Sequence, residues 1–336
     1  MNKVNYRQDY LDSLRGLAAI SVVLSHFILA YRIDLENKYI NYSPLHFFYD
    51  GFSAVTFFFI LSGYVLTLSL NSQSEVSIGI FYIKRFFRIM PIYILTFFVS
   101  YLCYNYYAII LTQPISSDWI NDFWDKPLSI ENLLKQIYFV RPLNDAELVP
   151  QNWSLKIEMM FSFFMPFLYF IFKRTNIKIF FLFNLLLYLV FSVPIFIFHF
   201  SLGIILAMNQ KIILNKFNVI KSKFKIILIL IIITLYTYRY TIPMYYYYFL
   251  RKHSPILNNE DLIWILTGLG AFCSLLYCMT SRRLRSILEF KVLLFIGKIL
   301  SAIVDRNQGV YCKRHFENGR NWSRRYFFSS KINSIF

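Results

Sequence analysis

The feature that most constrains this chain is a succession of apolar runs, each long enough to cross a bilayer. About 20 apolar residues in a helix match a hydrocarbon layer of about 30 Å. Residues 11–31, 52–70, 89–111, 224–240 and 262–280 meet that length. The run 157–172 is shorter and carries Glu158. The run 180–208 is too long for one helix, and Pro194 near its middle predicts a hairpin of two short spans. A further span over 287–304 is diluted by Glu289, Lys291 and Lys298. The expectation is an all-α, polytopic transmembrane helical bundle of about nine spans. Composition agrees: 57% of residues are hydrophobic and 20% aromatic, against about 45–50% apolar content in a soluble domain.

The net charge of +17 invites a nucleic-acid reading, which the distribution of the charge argues against. Lys3 and Arg7, the group Lys84, Arg85 and Arg88, the group Lys173, Arg174 and Lys178, the lysines from Lys211 to Lys225, and Arg282, Arg283 and Arg285 lie in short segments between apolar runs. All fall on one side if the N-terminus is cytoplasmic, as basic cytoplasmic loops require. The acid-rich loop 112–156 then faces outward, and the chain is expected in the plasma membrane as a multi-pass protein with the lipid bilayer as its surroundings. From Asp305 the sequence turns polar and basic, and the same topology would place it outside. Residues 1–304 are therefore read as the transmembrane domain and 305–336 as a divergent tail outside the fold. The first apolar run is flanked by charges and lacks a small-residue cleavage site, so no secretory signal is expected. Four cysteines, without C-x-x-C spacing, read as packing residues. No His/Cys cluster points to a metal.

Chemistry concentrates in the first run, "LDSLRGLAAISVVLSHFILAY". Ionisable groups at membrane depth are costly and face a bundle interior or polar path by default. On a helix Arg15 and His26, eleven positions apart, differ by about 20° in direction and about 16 Å in height, and Asp12 lies within about 40° of His26. The three share one stripe. A histidine titrating near neutrality can take a proton from an attacking hydroxyl; the plain alternative is a ring bonded to a backbone carbonyl. Asp12 and Arg15 can form a helix-end ion pair. Arg85 and Arg88 are either topology signals or, three apart on one face, a two-guanidinium site suited to phosphate. Ser62 and Gly63 interrupt bulky neighbours, as residues at close helix crossings do. Trp153, Ser154 and Glu158 open a further helix, with Ser154 and Glu158 four apart. Glu158 can serve as a second proton group, a ligand of the acceptor or a structural partner. His46, His199 and His253 are read as solvated or structural.

Five segments occur in a recognisable order: "LDSLRGLAAISVVLSH", "FFFILSGYVL" from Phe57, "YIKRFFRIMPIY" from Tyr82, "NWSLKIEMMF" from Asn152 and, less closely, "FHFSLGIILA" from Phe198. Together they resemble the membrane acyltransferase-3 family, whose members acylate cell-surface carbohydrates. The resemblance implies an integral membrane O-acyltransferase, with acetyl as the expected group. It implies acyl-CoA as co-substrate with no bound cofactor, and a carbohydrate hydroxyl as acceptor. It makes His26 the base, Arg15 functional and Asp12 its support, and puts Ser62 and Gly63 beside the acyl path, while the spacing and expected cytosolic position of Arg85 and Arg88 favour a place for them at the acyl-CoA phosphates. "LFIGKI" (Leu294 to Ile299) begins the family's next motif, and the sequence then abandons it. A reading-frame change near Leu300 accounts for the simultaneous loss of hydrophobicity, topology and resemblance, and implies a missing final helix. Two other classes stay open here: a polysaccharide exporter or flippase that uses the stripe as a path, and an inactive truncated relative.

Overall fold

The computed structural model describes residues 9–31, 43–72, 78–110, 126–139, 147–149, 152–220, 222–251, 254–295 and 297. Every regular element among them is helical: α1 (Asp9–Tyr31), a 3₁₀ turn (Pro44–Phe48), α2 (Gly51–Ser72), α3 (Ile78–Ile110), α4 (Ile130–Ile137), α5 (Asn152–Arg174), α6 (Ile177–Phe191), α7 (Ile197–Met208), α8 (Gln210–Asn218), α9 (Ser222–Tyr236), a 3₁₀ turn (Tyr238–Tyr240), α10 (Ile242–Leu250), α11 (Glu260–Thr280) and α12 (Arg282–Leu288). Five of these helices are long and apolar enough to cross a membrane, or seven spans if each bent pair counts as one, among the described residues. Nine were expected. The difference lies in α6, whose 15 residues make a short apolar helix, and in residues 287–304, of which 296 and 298–304 lie outside the described residues. The tail 305–336, His253, His315 and Cys312 also lie outside them.

The hairpin expected at Pro194 is present. Helix α6 ends at Ser192, whose φ of 50° turns the chain, and α7 begins three residues after the proline. The span expected from 89 begins eleven residues earlier, at Ile78, so Arg85 and Arg88 sit inside α3, which continues through Pro91. Proline lacks the N–H that would bond to the Phe87 carbonyl, yet the two turns before it remain helical.

Helix α2 is the axis of the bundle, packed against α1, α5, α7 and α11. Close approach is made by glycines, as expected where lipid supplies no hydrophobic drive between helices. A Cβ on Gly63 would lie 2.3 Å from the Phe200 carbonyl oxygen, and one on Gly203 would lie 2.3 Å from that of Ile60, so α2 and α7 meet backbone to backbone. Gly270 on α11 meets the backbone of Tyr236 on α9 in the same way.

The contacts sort the bundle into two ends. One holds the start of α1, where Asp12 backs onto Gly297, together with Tyr64 bonded to Gln210 and the basic residues of α3, α5, α8 and α12. The other holds the end of α1, the starts of α2, α5 and α11, and the end of α9, joined by contacts described below. Among the described residues, the basic clusters of α3, α5, α8 and α12 thus share one end of the molecule.

Candidate active site

Helix α1 is unbroken from Asp9 to Tyr31, so Asp12, Arg15 and His26 do form one stripe. At the basic end Arg15 Nη1 donates to Asp12 Oδ1 at 2.9 Å. Asp12 is 4% exposed and the Arg15 side chain 19% exposed, so the pair is part-buried and less screened by solvent than a surface one. Higher up, His26 is half-buried and its ring bonds to the backbone of Val22. A carbonyl only accepts, so that ring nitrogen carries the hydrogen. In the neutral imidazole the other nitrogen then holds the lone pair that a general base needs.

Next to His26 the chain returns. Ser21 Oγ donates to the Phe48 carbonyl at 2.7 Å, and a Cβ on Gly51 would lie 2.7 Å from that of Ser25. This close approach sets the start of α2 at the depth of His26. It also buries Asp50, which is fully enclosed and which sequence reasoning missed. Asp50 accepts from the Ser53 N–H at 2.9 Å, and its Oδ2 lies 2.7 Å from Ser53 Oγ. Ser53 Oγ also reaches the carbonyl of Tyr236. A hydroxyl has one hydrogen, so the Asp50 carboxyl and the Tyr236 carbonyl compete for the one that Ser53 Oγ donates. Burial pushes the Asp50 carboxyl up from 3.8 to about 7, against the lowering influence of Ser53 and Arg239.

A raised acid stabilises the fold fully below its unfolded pKa and loses that contribution as pH rises through the folded one. The expected loss is about 2 kcal/mol between pH 5 and 7. Melting of the solubilised protein across that range is expected to show the decline, and Asp50→Asn, which cannot ionise, is expected to remove it. A decline of the same size in the variant would assign it to another group.

The roof of this end is aromatic. His46 is 7% exposed and stacks on Tyr240 at 3.8 Å, which corrects the solvated alternative to a structural one. Phe52 stacks on Trp264 at 3.6 Å and carries the Arg239 guanidinium 4.4 Å from its ring centre. Arg239 also lies 3.6 Å from Glu260. Trp153, 39% exposed, stands edge-on to Trp264 at 6.1 Å, so α5 opens at this same end.

The remaining residues divide between mid-bundle and basic end. Ser62 Oγ lies 3.5 Å from Glu158 Oε1, which joins two residues 96 positions apart at the outer limit of a hydrogen bond. Gly63 is enclosed by the α7 backbone, so packing alone accounts for a glycine there. Ser154 is half-buried, one turn before Glu158 on α5. On α3 Arg85 is 9% exposed and Arg88 half-buried. Arg85 lies seven residues into its helix and Arg15 six into its own, so each sits about 10 Å from the basic end.

A family model described as an acyltransferase domain matches residues 8–303, which includes α1 to α12. The chain is also 27% identical over 172 residues to "Acyltransferase MdmB" of Streptomyces mycarofaciens. That match covers 51% of this chain and 42% of that relative, so the chain spans less than half of the relative's length. No solved structure matches. With the family model covering most of the chain and the α1 stripe, the α2 crossing and the α3 arginines inside it, the chain belongs to the acyltransferase-3 family.

Proposed function

We propose that this protein is an integral membrane O-acyltransferase that moves an acyl group, acetyl by preference, from acyl-CoA to a hydroxyl of a cell-surface or exported carbohydrate. The observation that carries this reading is the polar stripe of α1, on which the Asp12–Arg15 pair and His26 line up along one unbroken helix. The plasma membrane holds the chain with the basic end and the N-terminus in the cytoplasm. Acyl-CoA enters from that side, with its phosphates on Arg85 and Arg88 and its pantetheine arm directed past Ser62 towards His26. The carbohydrate reaches His26 from the opposite end, beside Trp153 and Ser154.

In the transfer step the acceptor hydroxyl gives its proton to His26 as its oxygen bonds to the thioester carbonyl carbon. The carbon–sulfur bond breaks, and the proton passes to the departing sulfur, leaving an ester and free CoA. Arg15 holds positive charge on the stripe below His26, and Asp12 fixes its guanidinium. The test combines purified protein, labelled acetyl-CoA and cell-surface polysaccharide. Label is expected in an alkali-labile ester on the sugar. Sugar movement across the membrane without consumption of acetyl-CoA would replace the transferase reading with a transporter.

A further inference from the structure

A second polar group faces an apolar cavity far from the α1 stripe in sequence, and the transfer step makes no use of it. The cavity, about 240 Å³ in volume, lies between α6, α7 and α11, with Phe181, Leu185, Leu202, Ile265 and Leu269 in its wall and His199 beside them. His199 is 1% exposed. Its Nε2 lies 3.0 Å from the carbonyl oxygen of Trp264, and its Nδ1 has no hydrogen-bond partner among the described residues. The carbonyl can only accept, so Nε2 carries the hydrogen and Nδ1 of the neutral ring holds a lone pair. A buried acceptor of this kind is costly unless a donor reaches it.

The ring's position is built. A Cβ on Gly268 would lie 2.3 Å from His199 Nε2, so the glycine makes the room the imidazole occupies. The other polar groups of the wall satisfy each other: Ser201 Oγ donates to Asn184 Oδ1 at 2.9 Å, and Asn184 Nδ2 donates to the Phe180 carbonyl at 2.7 Å. A ligand therefore meets one demand, a hydrogen-bond donor for Nδ1, in otherwise apolar surroundings. A thioester or ester carbonyl, which only accepts, does not meet it.

The cavity's wall also says where the ligand comes from. Phe181 is 56%, Ile265 41% and Leu269 39% exposed, and on a membrane-spanning bundle such apolar faces meet lipid. At one margin Tyr188 donates to Asp261 at 2.6 Å, a polar latch between α6 and the start of α11. A cavity of this size holds the end of a molecule and not a whole drug-sized one.

We propose that this cavity binds the hydroxyl-bearing end of a bilayer-soluble alcohol, whose O–H donates to His199 Nδ1 while its chain extends into the lipid. The site does not depend on the acyltransferase reading, and its test measures binding alone.

The test uses the full chain in lipid nanodiscs and decanol carrying a mid-chain diazirine, with its methyl ether as a probe of nearly the same shape that cannot donate. On illumination the alcohol is expected to label peptides of α6, α7 and α11, and excess 1-decanol to suppress that labelling. The ether is expected to label them about ten-fold less, the factor expected for one lost hydrogen bond. His199→Phe, which keeps a ring and removes the acceptor, is expected to bring the alcohol down to the level of the ether. Equal labelling by alcohol and ether in the unaltered protein, or no labelling of these peptides by either, would overturn the proposal whatever the variant does. Alcohol labelling that survives His199→Phe in a variant with an unchanged melting temperature would remove His199 from the site.

Discussion

Replacing His26 with alanine is expected to eliminate measurable ester formation while leaving the amount of protein in the membrane unchanged. The two halves of that expectation have separate causes. Loss of a positioned general base costs about 10²–10⁴-fold in rate, enough to bury a slow transfer in background hydrolysis. The ring's bond to the carbonyl of Val22 is not needed for folding, because in a continuous helix that carbonyl already accepts the N–H of His26 itself. Removing the ring therefore strands no acceptor at that position. The measurement is label transferred from acetyl-CoA to polysaccharide, normalised to membrane protein. A variant that is abundant and still active would make His26 a structural residue and return the stripe to a packing role. A variant that disappears from the membrane would show the ring to be holding the end of α1 against α2.

How far this site was legible follows from the range of the interactions that make it. The stripe on α1 depends on the period of one helix, so Asp12, Arg15 and His26 were placed by counting residues. The hairpin at Pro194 was legible for the same local reason. Asp50 was not. In "FYDGFS" it reads as a solvated loop acid, and it becomes a buried one with a raised pKa only because the end of α9 and the turn Pro44–Phe48 close over it. His199 was noticed, but its cradle is Gly268, on a helix 69 positions away. The sharp bends were also hidden. The turn of 88° between α7 and α8 has neither proline nor glycine at its centre, only Asn209, whose side chain donates to the Ile205 carbonyl at 3.2 Å. After α9, Thr237 and Thr241 bond back to carbonyls four residues earlier at 2.9 and 3.0 Å, an arrangement that bends helices. The apolar length of a segment is local information; what folds over its end is not.

The arginines of α3 separate topology from ligand binding more sharply than any other pair. If Arg85 and Arg88 serve only to keep their end in the cytoplasm, lysine supplies the same charge and Arg85→Lys and Arg88→Lys change nothing. If they hold the phosphates of acyl-CoA, lysine loses the planar fork that binds two oxygens at once. One lost charge-assisted contact is worth about 1.5–3 kcal/mol, so donor affinity is expected to fall by about ten- to a hundred-fold. The burial of the two side chains predicts an order. Arg85 is 9% exposed and its contacts are the less screened by solvent, so Arg85→Lys is expected to show the larger loss and half-buried Arg88→Lys the smaller. The readout is the concentration of acyl-CoA that half-saturates transfer, with acceptor saturation measured in parallel. Donor affinity unchanged in both variants would make "KRFFR" a topology signal alone. A loss confined to acceptor affinity would move the donor to the other end of the bundle, where Trp153 and Arg239 lie, and reverse the direction in which the two substrates approach His26.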